Sequence, residues 1–183
     1  MRAAEIADQL TEVLVTEEEI RAKLEELARR VEVDYEGKDL LLVGVLKGAV
    51  MVMADFARAL KRDMEMDWMA VSSYGVGTKS SGVVQIRKDL DTDISGKHVL
   101  IVEDIIDSGL TLSWLLDNFA SRGAASIQVL ALLRKPEAAK VEIDCRYVGF
   151  DIPVEFVVGY GLDFAERYRN LRDVAVLAPH VYS

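Results

Sequence analysis

Residues 99–112 read Val-Leu-Ile-Val-Glu-Asp-Ile-Ile-Asp-Ser-Gly-Leu-Thr-Leu, and the order of residue types in this run sets the architecture. Val99 to Val102 are four apolar residues with no polar alternation, which suits a strand buried on both faces. Two acids, Glu103 and Asp104, stand where that strand is expected to end. A tight turn, Asp107-Ser108-Gly109-Leu110-Thr111, then leads into a helix predicted over 111–122 and closed by Gly123.

Each part of that turn has a physical use. Gly109 allows the backbone to come close to an anion. The amides of 108–111 lie at a helix N-terminus, where partial positive charge collects. The Ser108 and Thr111 hydroxyls add donors. Glu103 and Asp104 can accept hydrogen bonds from vicinal sugar hydroxyls or help to hold a divalent cation. Taken singly, Asp107 or Ser108 also fits a plain helix cap, and the two acids also fit a solvated strand end. Their order behind a buried strand favours a phosphate and sugar site.

The segments on either side repeat the pattern. Leu40 to Leu46 (LLLVGVL) and Ile127 to Leu133 are two more doubly buried strands. Gly48 opens a helical stretch from Ala49 to Lys61, and residues 65–73 read as a strand entering a polar stretch from Tyr74 to about Gln85. Strand and helix alternate, which implies right-handed crossovers and an α/β fold built on a twisted, mainly parallel sheet flanked by helices. Ligands of such sheets bind beyond the carboxyl ends of the strands. Further upstream, Thr16 and Glu19 make a capping box, and Ile20, Leu24, Leu27 and Val31 keep helical spacing, so a helix is expected over 17–32.

Composition narrows the classes of function. A length of 183 residues suits one domain with perhaps a small subdomain. The net charge of −9 argues against a nucleic-acid partner held by bulk electrostatics, although a local nest of amides still accommodates phosphate. Cys145 is the only cysteine, which excludes an internal disulfide, and no apolar run approaches the ~20 residues of a membrane span, so a cytoplasmic address and no membrane partner are expected. His98 and His180 lack the spacing of a zinc site.

Two further lysines stand at strand ends. Lys47 with Gly48, after Leu46, can offer amides and an ammonium to a pyrophosphate, or can simply snorkel from a helix start. Lys135, in Leu133-Arg134-Lys135-Pro136, can donate to an exocyclic carbonyl but cannot accept from an exocyclic amine; alone, it equally fits a solvated loop charge. The Gly75-Val76-Gly77 stretch has the wrong spacing for a dinucleotide fingerprint.

VLIVEDIIDSGLTL resembles the donor-binding signature of the type I phosphoribosyltransferases, and the resemblance runs over nearly the whole chain, closest to the bacterial hypoxanthine-guanine branch. It implies a parallel sheet with a small hood, formed mainly by about 140–165 plus N-terminal residues, within one domain over 1–183. It implies that residues 107–111 cradle the 5′-phosphate of 5-phosphoribosyl 1-pyrophosphate (PRPP), that Glu103 and Asp104 meet its ribose, and that Asp107 is the general base near purine N7. Leu110 stands where some relatives carry lysine, at a position that contributes mainly backbone.

By the same resemblance Lys47, Gly48 and Arg169 bind pyrophosphate, the Leu46-Lys47 peptide can be cis, and Ser72-Ser73-Tyr74-Gly75 begin a flexible lid. Such a lid would shield a glycosyl-cation-like transition state from water. Lys135, Phe156, Val157 and Asp163 would hold the purine: Lys135 at O6, Phe156 stacked on the ring, Val157 through its main chain, and Asp163 near the exocyclic amine. Read without the family, Phe156 fits a core aromatic. Magnesium is the implied cofactor, with Glu103, Asp104 and Asp163 as its carboxylates.

The implied reaction takes PRPP and hypoxanthine or guanine to IMP or GMP and pyrophosphate, in purine salvage, with the enzyme a homodimer or homotetramer. Two alternatives stay open at this point, a xanthine-preferring transferase and a non-catalytic nucleotide-sensing regulator that binds RNA on the same fold.

Overall fold

The computed structural model of the chain describes residues 1–74 and 83–182. A 3-10 segment, Ala3–Gln9, leads into strand β1 (Leu10–Val15) and helix α1 (Glu17–Asp34). The capping box forms as expected: Glu19 N donates to Thr16 Oγ1 (3.3 Å), and Thr16 N donates to Glu19 Oε2 (2.8 Å). The helix buries Ile20, Leu24, Leu27, Ala28 and Val31 along one face. Each of its larger side chains contributes roughly 1.5–3 kcal/mol relative to exposure.

Next come β2 (Leu40–Leu46), α2 (Val50–Ala59), β3 (Glu65–Tyr74) and β4 (Val83–Lys88), then β5 (His98–Ile106), α3 (Leu110–Ser121) and β6 (Ser126–Arg134). The chain ends with β7 (Tyr147–Asp151), β8 (Val157–Val158), β9 (Val174–Leu177) and α4 (Pro179–Tyr182). Six strands form one sheet in the order β4-β3-β2-β5-β6-β7. All neighbours are parallel except the β3–β4 pair.

The period of two is visible in the core. Leu40, Leu42, Leu100, Val102, Leu130 and Leu132 pack with α1 and α2 on one face. Their neighbours Leu41, Val43, Val99, Ile101, Val129 and Ala131 pack with Leu112, Leu115 and Phe119 of α3 on the other. A strand covered on both faces has no reason to alternate polar with apolar, which is why LLLV and VLIV read as continuous apolar runs.

From β2 the chain winds outward to β3 and β4, and from β5 it winds the other way to β6 and β7. The order therefore reverses between β2 and β5, and a crevice opens there beyond the strand ends. Lys47 and Gly48 follow β2, and the turn 107–111 follows β5, so the two segments face each other across that crevice.

Three expectations are corrected. Strand β5 does not stop at Val102 but runs to Ile106, still paired with β6 through Ile106↔Arg134, so Glu103 and Asp104 lie inside the strand. Main-chain pairing there outweighs the local polarity of the two acids. Ser72 and Ser73 lie in β3, as the strand read over 65–73 has them, and with Tyr74 they close it, in register with Gln85, Val84 and Val83 of β4, where the resemblance implied the start of a lid. Gly75, expected with them, lies outside the described residues.

The third correction concerns the hood. Its small antiparallel sheet has the order β1-β9-β8, so it draws on Val174–Leu177 as well as on residues 157–158 and the N-terminal strand. Residues 147–151, expected in the hood, pair instead with β6 as an edge of the large sheet. Val158, Tyr168, Leu171, Ala175 and Leu177 form the small sheet's own core, joined by Met1, Ala3 and Ile6.

Candidate active site

Asp104 points toward the turn between β2 and α2, where its carboxylate meets Gly48. A Cβ on Gly48 would fall 1.8 Å from Asp104 Oδ2, so no other residue fits there without displacing the acid. Asp104 Oδ1 accepts from Ile105 N at 2.8 Å. Burial pushes the Asp104 carboxyl up to about 6, against hydrogen bonds from main-chain amides and the pull of Arg169. Glu103, also buried, is raised well above the usual range, first by burial and then by Asp104. Two adjacent acids short of water are well placed to accept from sugar hydroxyls or to meet a cation.

The turn after β5 is braced from behind. Lys140 N and Val141 N both donate to Ser108 O (3.0 and 3.2 Å). Gly109 is left-handed (φ +79°) and serves as the N-cap of α3, with Val141 O only 2.9 Å from where a Cβ would sit. A side chain would be strained by the backbone and obstructed by that carbonyl. The forward side of the turn is open: Asp107 is exposed, and Ser108, Leu110 and Thr111 are half-buried. The first amides of any α-helix lack partners within the helix; here Leu110 N donates to Ser108 Oγ at a long 3.5 Å, and the N-terminus of α3 faces the open side.

Lys135 leaves the end of β6, with its N donating to Ile106 O (2.9 Å). Its residue surface is 8% exposed, yet its ammonium finds Asp107 Oδ2 at 3.2 Å. An ammonium so enclosed needs a carboxylate nearby, and Asp107, 56% exposed at its side chain, keeps one side in water. The structure thus joins the expected general base to the expected carbonyl reader.

The hood supplies a flat aromatic surface and a free strand edge. Phe156 is 41% exposed, with Phe164 edge-on at 5.8 Å and Tyr182 tilted at 5.1 Å between ring centroids. Strand β8 is the edge of the small sheet. Leu177 N donates to Phe156 O, and Val157 pairs with Val176. By alternation the N–H and C=O of Val157 point away from β9, unclaimed by the sheet.

On the remaining side the Leu46-Lys47 peptide is cis. Gly161, at φ +102°, lies against Gly48 so closely that a Cβ would meet Gly48 O at 2.0 Å. Arg169 Nη1 donates to Gly161 O (2.7 Å), and Arg169 Nη2 pairs with Asp163 Oδ1 (2.9 Å) and Glu166 Oε2 (3.2 Å). Lys47 Nζ reaches the same Glu166 Oε2 at 3.0 Å. Arg169 Nε is buried and has no hydrogen-bond partner among the described residues. Lys47, Gly48 and Arg169, expected on the pyrophosphate side, therefore lie in one cluster with Asp104 and Asp163, which were expected at the ribose and at the purine.

The expected trio of magnesium carboxylates is not assembled. Among the described residues no three His, Cys, Asp or Glu side chains are grouped to hold a metal ion. Asp163 spends Oδ1 on Arg169 and Oδ2 on Glu166 N (2.9 Å). A cleft of about 660 Å³ lies elsewhere: it is lined by Glu17, Arg21, Met51, Asp55 and Tyr160, and touches the cluster only at Arg169.

Glu166, Phe164 and Tyr182 were missed by sequence reasoning. Glu166 carried no signal, being one acid in a polar stretch. The aromatics Phe164 and Tyr182 became meaningful only when the hood brought them to Phe156.

A family model described as phosphoribosyl transferase domain matches residues 8–165. Hypoxanthine-guanine phosphoribosyltransferase of Mycobacterium avium is 55% identical over 176 residues, covering 93% of this chain and 87% of that protein. The enzyme of the same description from Bacillus subtilis is 52% identical over 173 residues, covering 94% and 96%. Among solved structures, a hypoxanthine phosphoribosyltransferase from Staphylococcus aureus superposes with a TM-score of 0.95 at 46% identity, covering 98% of this chain and 97% of that one.

Proposed function

We infer, from the premise that the chain belongs to the phosphoribosyl transferase family, that it moves the 5-phosphoribosyl group of PRPP onto hypoxanthine or guanine. It is a pentosyltransferase of purine salvage, giving IMP or GMP and pyrophosphate. The observation that carries the assignment of roles is the Lys135–Asp107 pair, 3.2 Å apart at the mouth of the open turn.

In the reaction the bond from ribose C1 to pyrophosphate oxygen breaks and the bond from C1 to purine N9 forms. The amides of 108–111 and the hydroxyls of Ser108 and Thr111 hold the 5′-phosphate at the α3 N-terminus. Glu103 and Asp104 accept from the ribose hydroxyls. Asp107 takes the proton released from the purine at N7. Lys47 and Arg169, with the amide of Gly48, meet the charge that gathers on the departing pyrophosphate.

Lys135 donates to purine O6, Phe156 stacks on the ring, and the free main-chain groups of Val157 meet the ring edge. A site built around such a buried donor can reject an amino group at that position by ~10⁴-fold, because the donor would be left unpaired. Asp163 holds Arg169 in place and is assigned to the exocyclic amine of the purine.

Magnesium fits these residues, although not as an all-protein cage. Magnesium is commonly held by one or two carboxylates with waters and substrate phosphates, which the buried Glu103 and half-buried Asp104 would suit. When bound, it would supply neutralising charge to the phosphates, with Glu103, Asp104 and Asp163 as the carboxylates available to hold it. A cytoplasmic address and a homodimer or homotetramer complete the proposal. The lone Cys145 is compatible with a reducing compartment, and no helix among the described residues is long and apolar enough to cross a membrane.

The test is a purine panel. The purified chain is incubated with PRPP, magnesium and each of hypoxanthine, guanine, xanthine and adenine, and the nucleotide formed is identified. IMP and GMP with stoichiometric pyrophosphate are expected, and adenine is expected to yield nothing. Preferential formation of XMP would replace the specificity reading, and AMP would overturn the role of Lys135.

A further inference from the structure

The carboxylate of Glu166 lies where an anionic ligand belongs. A single oxygen, Oε2, lies 3.0 Å from Lys47 Nζ and 3.2 Å from Arg169 Nη2, the two cations assigned above to pyrophosphate. We propose that Glu166 is an internal stand-in for pyrophosphate: it bridges Lys47 and Arg169 in the empty site, yields them to the arriving donor, and reclaims them to help expel the pyrophosphate product. The proposal rests on the reading of Lys47 and Arg169 as the pyrophosphate cations.

The backbone supports an arrangement held for a purpose. Phe164 and Arg167 exchange both main-chain hydrogen bonds (3.2 and 2.9 Å), closing a two-residue turn over Ala165 and Glu166. Both central residues have positive φ, +49° and +63°. That is the mirror-image turn in which Asn-Gly is preferred, because a side chain with a β-carbon is strained there. Glu166 sits there nonetheless, and Asp163 Oδ2 accepts its N–H at 2.9 Å. A solvent-facing turn with no role for its side chain would be relieved by Asn or Gly. Here the turn projects a carboxylate back over the site.

The contact is also suited to release. The side chains of Lys47 and Glu166 are 65% and 64% exposed, so water screens the pair and its rupture costs little. Arg169, at 24% exposure, keeps Asp163 and Gly161 O as partners when Glu166 leaves, so its guanidinium stays oriented. A ligand bearing several phosphate oxygens outcompetes one carboxylate, yet the carboxylate remains tethered at high local concentration for the return.

The experiment titrates magnesium pyrophosphate and PRPP, separately, into the intact wild-type chain and into Glu166→Gln, Glu166→Asp and Lys47→Ala. Steady-state KM and kcat are measured alongside. For Glu166→Gln, pyrophosphate binding should tighten and the KM for PRPP should fall, each about three- to tenfold, the modest gain of freeing exposed ion pairs. IMP affinity should be unchanged, and kcat should hold or fall as product leaves more slowly.

Glu166→Asp keeps the charge but shortens the reach, so it should move toward the glutamine variant. If Glu166→Gln binds pyrophosphate no tighter than wild type, the stand-in role is overturned. Wild-type behaviour of Glu166→Asp beside a tighter glutamine variant would overturn the bridge and leave only a charge effect. Lys47→Ala separates the two levels: it weakens pyrophosphate binding if the cations are rightly assigned, and no change there would remove the underlying reading along with the proposal.

Discussion

Asp107 and Lys135 do different work in the same 3.2 Å contact, and each can be removed by itself. Asp107→Asn keeps the shape of the side chain and its contact with the turn while removing the proton acceptor. Turnover should fall by a factor of about 10²–10⁴, the span of lost general-base help, with PRPP affinity little changed. Activity within a few-fold of wild type in a steady-state assay would refute the base assignment. Lys135→Ala removes the donor to O6. Calorimetric titration of both ligands should show a larger loss for the purine than for PRPP, and equal losses would count against the carbonyl-reading role. The melting temperature should hardly move, because Asp107, 56% exposed, is left in water and not buried unpaired. The resemblance put both residues in the site, but no spacing in the chain shows that Ile106 and Lys135, 29 positions apart, share a main-chain hydrogen bond.

Two contacts between elements stand out, and the first is at the site itself. Gly161 lets the hood lie on Gly48 at the end of β2, and a Cβ there would meet Gly48 O at 2.0 Å on a backbone at φ +102°. Gly161→Ala should therefore cost about 1–3 kcal/mol of stability and raise the KM for PRPP. An unchanged melting curve and KM would show that the contact is not needed. The second contact is at Asp67 in β3, which accepts from Trp68 N (2.7 Å), Asp91 N (2.9 Å) and Thr92 N (2.8 Å) and so ties the approach to β5 against the sheet. Burial alone would raise its carboxyl, but the hydrogen bonds from Thr92 and Trp68 and the charge of Lys88 outweigh it, and the net shift is downward. A depressed folded value gives stability that is complete above the unfolded value, ~3.9, and lost as pH falls through the folded one. Asp67→Asn should cost about 2–4 kcal/mol at neutral pH and flatten the acid limb of a melting-temperature profile; an acid limb as steep as that of wild type would contradict this. At this scale the chain is legible wherever pattern alone decides: the Thr16 capping box, the doubly buried strands and the tight strand-to-helix turn at 107–111 all form as read. It misleads where tertiary pairing overrides local polarity, as in β5, whose two acids look like an end and are an interior. The strand read over 65–73 forms and runs one residue further, to Tyr74, where pairing with β4 extends it past the start of the polar stretch.

Across the molecule, the reversal of strand order between β2 and β5 explains why residues from 46 to 169 meet at one crevice. A sequence pattern can announce a parallel sheet, but strand order follows from which crossover goes which way. The hood shows the same gap at larger range: the main-chain pairing of Leu10–Val15 with Val174–Leu177 joins segments from the two ends of the chain, and neither carries a mark of the other. The resemblance placed residues 147–151 in the hood, whereas they pair with β6 at an open parallel edge that Tyr147, fully buried, completes. The central claim is that one turn at the carboxyl end of β5 anchors the nucleotide. The most direct test is a crystal structure of the chain with IMP bound. The account predicts the 5′-phosphate on the amides of 108–111, purine N7 beside Asp107 and O6 beside Lys135. IMP seated instead in the cleft lined by Glu17, Asp55 and Tyr160, with residues 107–111 facing only solvent, would contradict it.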